Sequence, residues 1–223
     1  MIIKKINATV KTDDENPRLL LFFSGWGMDE HPFMEYLPED MDCMICYDYS
    51  SLSFDTFSLM SYKHIRVIAW SMGVWAASRI LSVHHLPVSE SIAINGTPWP
   101  VDDERGIATA IFRGTLDGLN ESTVQKFRRR MCGSKEALNL FMEHVPRRTV
   151  KDLHEELRRI GECSRDVYEP YFTWDKVYIG LQDKIFLPVN QQKAWEGNNI
   201  TMIACEHYPH TFWAELFKKR IHE

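Results

Sequence analysis

Short apolar runs that alternate with helical segments are the feature that most constrains how this chain can fold. The runs occupy residues 19–23, 43–47, 65–70, 91–94, 177–179 and 200–204. Continuous runs of this length are typical of strands that are buried on both faces of a parallel sheet. Helical segments follow several of them, at residues 31–37, 73–83, 188–195 and 212–219. This alternation predicts an α/β fold with a mostly parallel sheet. Residues 2–10 alternate in part, as an antiparallel edge strand would.

One interval interrupts the alternation. Between residues 98 and 165 the pattern predicts helices alone, at residues 107–115, 122–131, 135–144 and 150–160. The interval carries a formal charge of +2, whereas the rest of the chain carries −7. We therefore expect a helical lid at 98–165, inserted into a core formed by residues 1–97 and 166–223.

Composition narrows the range of partners and compartments. The formal net charge of −5 does not favour nucleic acid as a partner. No apolar run reaches about 18 residues, and the first residues lack a secretory signal, so we expect a cytoplasmic protein that does not bind membranes. Five cysteines, an odd number, fit a reducing compartment. We expect a monomer.

Ser71 carries the main chemical signal. It follows the apolar run that ends at Trp70 and precedes a helical segment that begins near Gly73. This is the strand–turn–helix context that the nucleophile elbow of an α/β-hydrolase requires, with small residues two positions before and after the serine. Ala69 and Gly73 meet that requirement, although alanine replaces the usual first glycine. A serine that caps a helix is the alternative.

The loop after the first central strand offers a second component. Residues 24–27 read Ser-Gly-Trp-Gly. The backbone N–H of Trp26, paired with that of Met72, would form an oxyanion hole for a tetrahedral intermediate. An ordinary glycine-rich turn is the alternative interpretation.

An acid and a histidine are expected later in the chain, in the order Ser, Asp, His. Asp183 lies just beyond a predicted strand, and a turn residue or helix cap is the alternative role for it. His210 and His207 both follow the last strand. We favour His210 as the general base because it stands at the junction between loop and helix, with His207 as the competitor. For either histidine, the alternative is a surface residue without a catalytic role.

This chemistry needs neither a metal nor a cofactor. The segment His154-Glu155-Glu156 does not match a zinc-binding helix, and the pair His84-His85 has no evident third ligand. We therefore expect no metal site and no cofactor.

With these residues in view, the chain resembles the pimeloyl-[acyl-carrier protein] methyl ester esterases of biotin synthesis, in their short branch. The resemblance is carried by residues 21–28, 69–75, 103–107, 111–116 and 180–186. In the longer branch the first of these motifs starts with His, where this chain has Ser24. That departure leaves the role expected for Trp26 intact.

The resemblance implies the α/β-hydrolase fold and a substrate, the pimeloyl methyl ester carried by acyl-carrier protein, which the enzyme would cleave to methanol and pimeloyl-[acyl-carrier protein]. Acyl-carrier protein is acidic, so clustered basic residues of the lid are candidates for docking it. The candidates are Arg128, Arg129, Arg130, Arg147, Arg148, Lys151, Arg158 and Arg159. Solvated helix faces with Glu partners, such as Glu155 and Glu156, are the alternative interpretation.

Two other functions remain open. One is a general carboxylesterase or thioesterase acting on short acyl groups. The other is a non-catalytic binding module that keeps the hydrolase fold, although the order and context of all three triad residues argue against it.

Overall fold

A single mixed sheet organises the structure. The computed structural model describes residues 1–10, 15–164 and 172–218. In that part of the chain the strands are β1 (Ile2–Ile6), β2 (Arg18–Phe23), β3 (Asp42–Tyr47), β4 (His64–Trp70), β5 (Val88–Ile94), β6 (Lys176–Gly180) and β7 (Ile200–Ile203). Their order across the sheet is β1-β3-β2-β4-β5-β6-β7. The edge strand β1 is antiparallel to β3, and every other pair is parallel. The mostly parallel sheet and its antiparallel edge strand are confirmed.

The helices agree with the predicted pattern within a few residues. They are α1 (Met72–Val83), α2 (Thr109–Asp117), α3 (Glu121–Cys132), α4 (Lys135–Glu143), α5 (Val150–Cys163), α6 (Pro188–Ala194) and α7 (Trp213–Lys218). The helix expected at 31–37 is a 3-10 helix, His31–Tyr36, with a proline in its first turn. The predicted ends at residues 165 and 219 lie outside the described residues. None of the helices in the described ranges combines the length and the hydrophobicity needed to cross a bilayer.

The central strands bury both of their faces. In β2 the side chains of Leu19, Leu21 and Phe23 belong to one apolar cluster, while Leu20 and Phe22 belong to the cluster on the opposite face. Because successive side chains of a strand point to opposite faces, a strand with helices on both sides must be apolar throughout. This requirement explains why the strands read as continuous apolar runs in the sequence.

Helices α2 to α5 lie in the chain between β5 and β6. Phe112 of α2 and Leu157 of α5 pack into one of the two clusters, whereas Met131 of α3 and Phe141 of α4 pack into the other. This segment therefore contributes side chains to the apolar clusters on both faces of the sheet. In the described part of this segment the one β contact is an isolated bridge between Val101 and Ile107.

Candidate active site

Ser71 occupies a sharp turn between β4 and α1. Its backbone has φ +59° and ψ −129°, a combination that L-residues rarely adopt and that stores strain. The turn brings α1 so close to β2 that a Cβ on Gly73 would lie 2.3 Å from the carbonyl oxygen of Phe23. Glycine is therefore required at position 73, as the sequence pattern predicts.

The carboxyl ends of three parallel strands bring the polar groups of the site together. Ser71 follows β4, Asp183 follows β6, and His207 follows β7. His207 Nε2 lies 2.9 Å from Ser71 Oγ, and His207 Nδ1 lies 2.9 Å from Asp183 Oδ2. All three residues are buried, with exposed fractions of 4% or less. A hydroxyl, an imidazole and a carboxylate linked in this way can move a proton from the hydroxyl to the ring.

His207 takes the place that we predicted for His210, so that prediction is wrong. Residue 207 comes four positions after the end of β7 and lies where the loop crosses the carboxyl edge of the sheet. His210 is three positions further on, half-buried, in the turn that leads into α7. Its backbone N–H donates to the carbonyl of Tyr208, which turns the chain toward that helix.

The carboxylate of Asp183 is held by four hydrogen bonds. Its Oδ1 accepts from the backbone N–H groups of Ile185 (2.8 Å) and Phe186 (3.0 Å). Its Oδ2 accepts from Gln191 Nε2 (3.0 Å) as well as from His207. These donors fix the orientation of the carboxylate, and its bond to His207 favours the tautomer that carries the proton on Nδ1.

Three residues that the sequence analysis did not single out position the histidine and the acid. Trp70 Nε1 (2.8 Å) and Asn95 Nδ2 (3.0 Å) both donate to the carbonyl oxygen of His207. Asn95 Oδ1 accepts from Gly180 N, so this one amide joins the end of β6 to the loop that carries His207. Gln191 is the third. For Asn95 the sequence did contain a signal, namely Asn followed by Gly at the end of a strand. Asn tolerates a positive φ better than most residues, and Asn95 has a φ of 46°.

The loop of residues 24–27 lies beside the serine. Trp26, Met72 and Ser71 line the same cavity. As the first residue of α1, Met72 has a backbone N–H without an intrahelical acceptor. The indole Nε1 of Trp26 donates to the carbonyl of Leu153 in α5, at 2.9 Å.

The cavity has a volume of about 420 Å³ and is mainly apolar. Its walls come from the 24–27 loop, from α1, α2, α3 and α5, and from the turn after β6. The apolar lining residues are Trp26, Met72, Ile107, Ala110, Ile111, Phe112, Phe127, Leu157 and Ile185. Three basic residues also line it and are exposed to solvent, namely Lys126, Arg130 and Lys184. The cavity thus extends from a buried serine to a basic rim.

The eight basic residues predicted to dock a partner fall into different environments. Arg130 lies on the cavity rim, and Arg129, Arg147 and Lys151 are exposed. Arg128 is buried, and burial lowers the pKa of its guanidinium. For Arg128 the docking prediction is wrong because its side chain packs inside the protein.

The other three arginines form ion pairs. Arg148 pairs with Glu156 and Asp48, and its side chain is 8% exposed, so it is not available for docking either. Arg158 and Arg159 pair with Glu155 and Glu162 on the outer surface of α5. For Arg158 and Arg159 the alternative interpretation, a solvated helix face with Glu partners, describes the structure better. Arg148 fits neither interpretation, because its ion pairs are buried. Lys126 and Lys184 were not among the predicted residues.

Comparison with known proteins shows the family and the fold of this chain. The model of one family, described as pimeloyl-ACP methyl esterase BioG, matches residues 8–216. The crystal structure of BioG from Haemophilus influenzae superposes with a TM-score of 0.85 at 37% identity and covers 96% of this chain and 97% of that one. An uncharacterised protein of H. influenzae is 38% identical over 211 residues, which are 92% of this chain and 96% of that protein.

A second relative is longer. A Bacteroides fragilis protein named malonyl-[acyl-carrier protein] O-methyltransferase is 55% identical over 191 residues, which are 85% of this chain. The chain spans only 39% of the length of that relative. A hydrolase from Pseudomonas aeruginosa, at 12% identity and a TM-score of 0.61, shares the fold alone. The fold is that of the α/β-hydrolases, as predicted.

Proposed function

Because this chain belongs to the pimeloyl-ACP methyl esterase BioG family, we propose that it is a serine esterase that hydrolyses the methyl ester of pimeloyl-[acyl-carrier protein] in biotin synthesis. One observation carries the proposal. The Ser71–His207–Asp183 hydrogen-bonded chain places its serine in the wall of an apolar cavity whose exposed rim is basic. That arrangement provides a nucleophile, room for an acyl chain and a charge that suits an acidic carrier protein.

The reaction starts at Ser71. His207 Nε2 takes the proton of the hydroxyl as Oγ forms a bond to the ester carbonyl carbon. Asp183 holds Nδ1–H and stabilises the resulting imidazolium. When the tetrahedral intermediate collapses, the bond to methoxide breaks and His207 returns the proton, so that methanol leaves. A water molecule deprotonated by His207 then hydrolyses the acyl-enzyme and frees the distal carboxylate.

The negative charge of each tetrahedral intermediate needs hydrogen-bond donors. The backbone N–H groups of Trp26 and Met72 form the oxyanion hole. Their position in the wall of the cavity, next to Ser71, supports this role. The hole is made of backbone groups on a loop and on a helix start, so it is present before the substrate arrives.

The substrate lies with its methyl ester at Ser71 and its acyl chain along the cavity. Helices α2 to α5 act as the lid that encloses this acyl chain. Its attachment to the carrier protein lies toward Lys126, Arg130 and Lys184, which are exposed. These three residues, with Arg129, Arg147 and Lys151 as outer contacts, dock the acidic partner. No metal and no cofactor take part.

The test is hydrolysis of pimeloyl-[acyl-carrier protein] methyl ester by the wild-type protein and by Ser71→Ala, with methanol and the free acid as readouts. We expect the wild type to release both, and the variant to lose activity by about 10⁴-fold or more, since the serine and histidine act as a unit. A fluorophosphonate probe should label the wild type and not the variant.

Two results would contradict the proposal. If the wild type cleaves p-nitrophenyl butyrate much faster than the carrier-protein ester, the protein is a general esterase. If the folded wild type neither reacts with the probe nor hydrolyses either ester, the fold serves a non-catalytic function.

A further inference from the structure

Glu156 is a fully buried acid that the reaction does not use. It lies on α5 with an exposed fraction of 0% and faces the 24–27 loop. Burial raises the pKa of its carboxyl, while the charge of Arg148 and the hydrogen bonds that it accepts oppose that effect. Burying a charged side chain is costly unless it is paired. A specific role would explain an acid at this place in an otherwise apolar part of the helix.

The carboxylate of Glu156 binds three donors from three parts of the chain. Its Oε2 accepts from the backbone N–H of Gly27 (3.3 Å) and from Arg148 Nη1 (2.5 Å). Its Oε1 accepts from the backbone N–H of Tyr49 (3.1 Å), in the segment after β3. Gly27 follows Trp26, so one of these bonds acts directly on the loop beside the serine.

That loop needs an external anchor. Trp26 stands between two glycines, and Gly27 has a φ of +76°, so the flanking peptide bonds can rotate at little cost. At its start, Ser24 N and Ser24 Oγ donate to the carbonyl of Cys46. Three further anchors are the Tyr49 hydroxyl, which donates to the carbonyl of Ser24 (2.7 Å), the Trp26 indole on Leu153, and Glu156 on Gly27 N. Leu153 and Glu156, which provide two of these three further anchors, both belong to α5.

We propose that Glu156 is a positioning residue that holds the backbone N–H of Trp26 toward the reacting oxygen, and so couples helix α5 to the oxyanion hole. The inference rests on the proposed function, because it assigns that N–H to the oxyanion. Arg148 contributes to the same set of contacts. It binds Glu156 and Asp48 together, and its charge opposes the rise in the pKa of Glu156 that burial causes.

The test is the variant Glu156→Gln. The amide retains one acceptor oxygen and turns an NH2 group toward a donor, so either Gly27 N or Tyr49 N loses its acceptor. We expect kcat to fall by about 10- to 100-fold with KM changed by less than about threefold, because the hole stabilises the transition state rather than the bound ester. A trifluoromethyl ketone, which forms a tetrahedral adduct with the serine, should bind more weakly by the same factor as the loss in kcat/KM.

Glu162→Gln is the matched control. Glu162 lies on the same helix and pairs with Arg158 and Arg159 on the outer surface. We expect this variant to have wild-type kcat and ketone affinity. Glu156→Asp keeps the charge and shortens its reach by one methylene, so it should fall between the wild type and the Gln variant.

Each assay uses p-nitrophenyl butyrate beside the carrier-protein ester, since the oxyanion hole serves both. Activity on butyrate alone contradicts the proposed substrate and leaves the role of Glu156 open to the same measurement. A folded Glu156→Gln variant with wild-type kcat and ketone affinity overturns the inference. If that variant does not fold, Glu156→Asp decides by the same criterion. If neither folds, Glu156 is a structural residue and the inference is wrong.

Discussion

At the scale of single residues, the two histidines of one loop show how finely position determines chemistry. His207 and His210 follow the same strand and are three residues apart. His207 is fixed at its carbonyl by Trp70 and Asn95, and Phe186 stacks on its ring with centroids 6.0 Å apart. His210 turns away into the start of α7.

A pair of alanine variants tests this assignment. We expect His207→Ala to lower kcat on p-nitrophenyl butyrate by about 10⁴-fold or more, because it removes the proposed general base. His210→Ala should stay within about threefold of the wild type, as expected for a residue outside the hydrogen-bonded chain. Steady-state kinetics of both purified variants, with circular dichroism to confirm folding, decides the matter. The reverse pattern would restore His210 as the base.

At the scale of elements, an ion-pair group ties three neighbouring strands. Arg66 of β4 is fully buried, and its Nε lies 2.7 Å from Glu90 of β5. Lys176 of β6 binds the same carboxylate at 2.6 Å. Although burial acts in the opposite direction, these two cations lower the pKa of Glu90 below its usual value. The group therefore contributes to the pH dependence of stability.

A lowered pKa fixes the sign of that contribution. The stabilisation from ionised Glu90 is present above the pKa of an unfolded glutamate, about 4.3, and is lost as the pH falls through the lower pKa of the folded state. We expect Glu90→Gln to reduce the free energy of unfolding at pH 7 by about 1–3 kcal/mol, and by less as the pH approaches 3. Urea denaturation across this range measures the difference. The exposed Glu104→Gln serves as control, and a constant difference at all pH values would refute the linkage.

At the scale of the whole molecule, charge is distributed unevenly around the cavity. The chain carries a net charge of −5, yet Lys126, Arg130 and Lys184 meet on the rim from α3 and from the turn after β6. Residues this far apart in sequence contribute to one surface only after folding. Such a patch would suit the acidic partner that we propose, despite the negative net charge.

The rim makes a prediction about substrate size. Replacing Lys126, Arg130 and Lys184 with alanine should raise KM for the carrier-protein ester by about tenfold more than KM for p-nitrophenyl butyrate, and the difference should shrink in 0.5 M salt. Arg158→Ala with Arg159→Ala is the matched control, since both arginines already have Glu partners on α5. Equal effects on the two substrates, or a larger effect in the control, would exclude docking at the rim.

By itself, the sequence determined the alternation of strands and helices, the series of helices between β5 and β6, the tight turn at Ser71 and the position of Asp183 after β6. Each of these follows from local pattern, because burial on both faces, helical periodicity and a tight turn all restrict neighbouring residues. Only the tertiary structure decided which of the two histidines contacts Ser71. It also placed the side chains of Arg128 and Arg148 in the interior, and it brought Asn95, Gln191 and Glu156 to the site. Those outcomes depend on contacts between residues as many as 137 positions apart, such as Trp70 with His207. Apart from the Asn95-Gly96 pair, no local pattern records these outcomes, since they arise where elements that are distant in sequence meet in the fold.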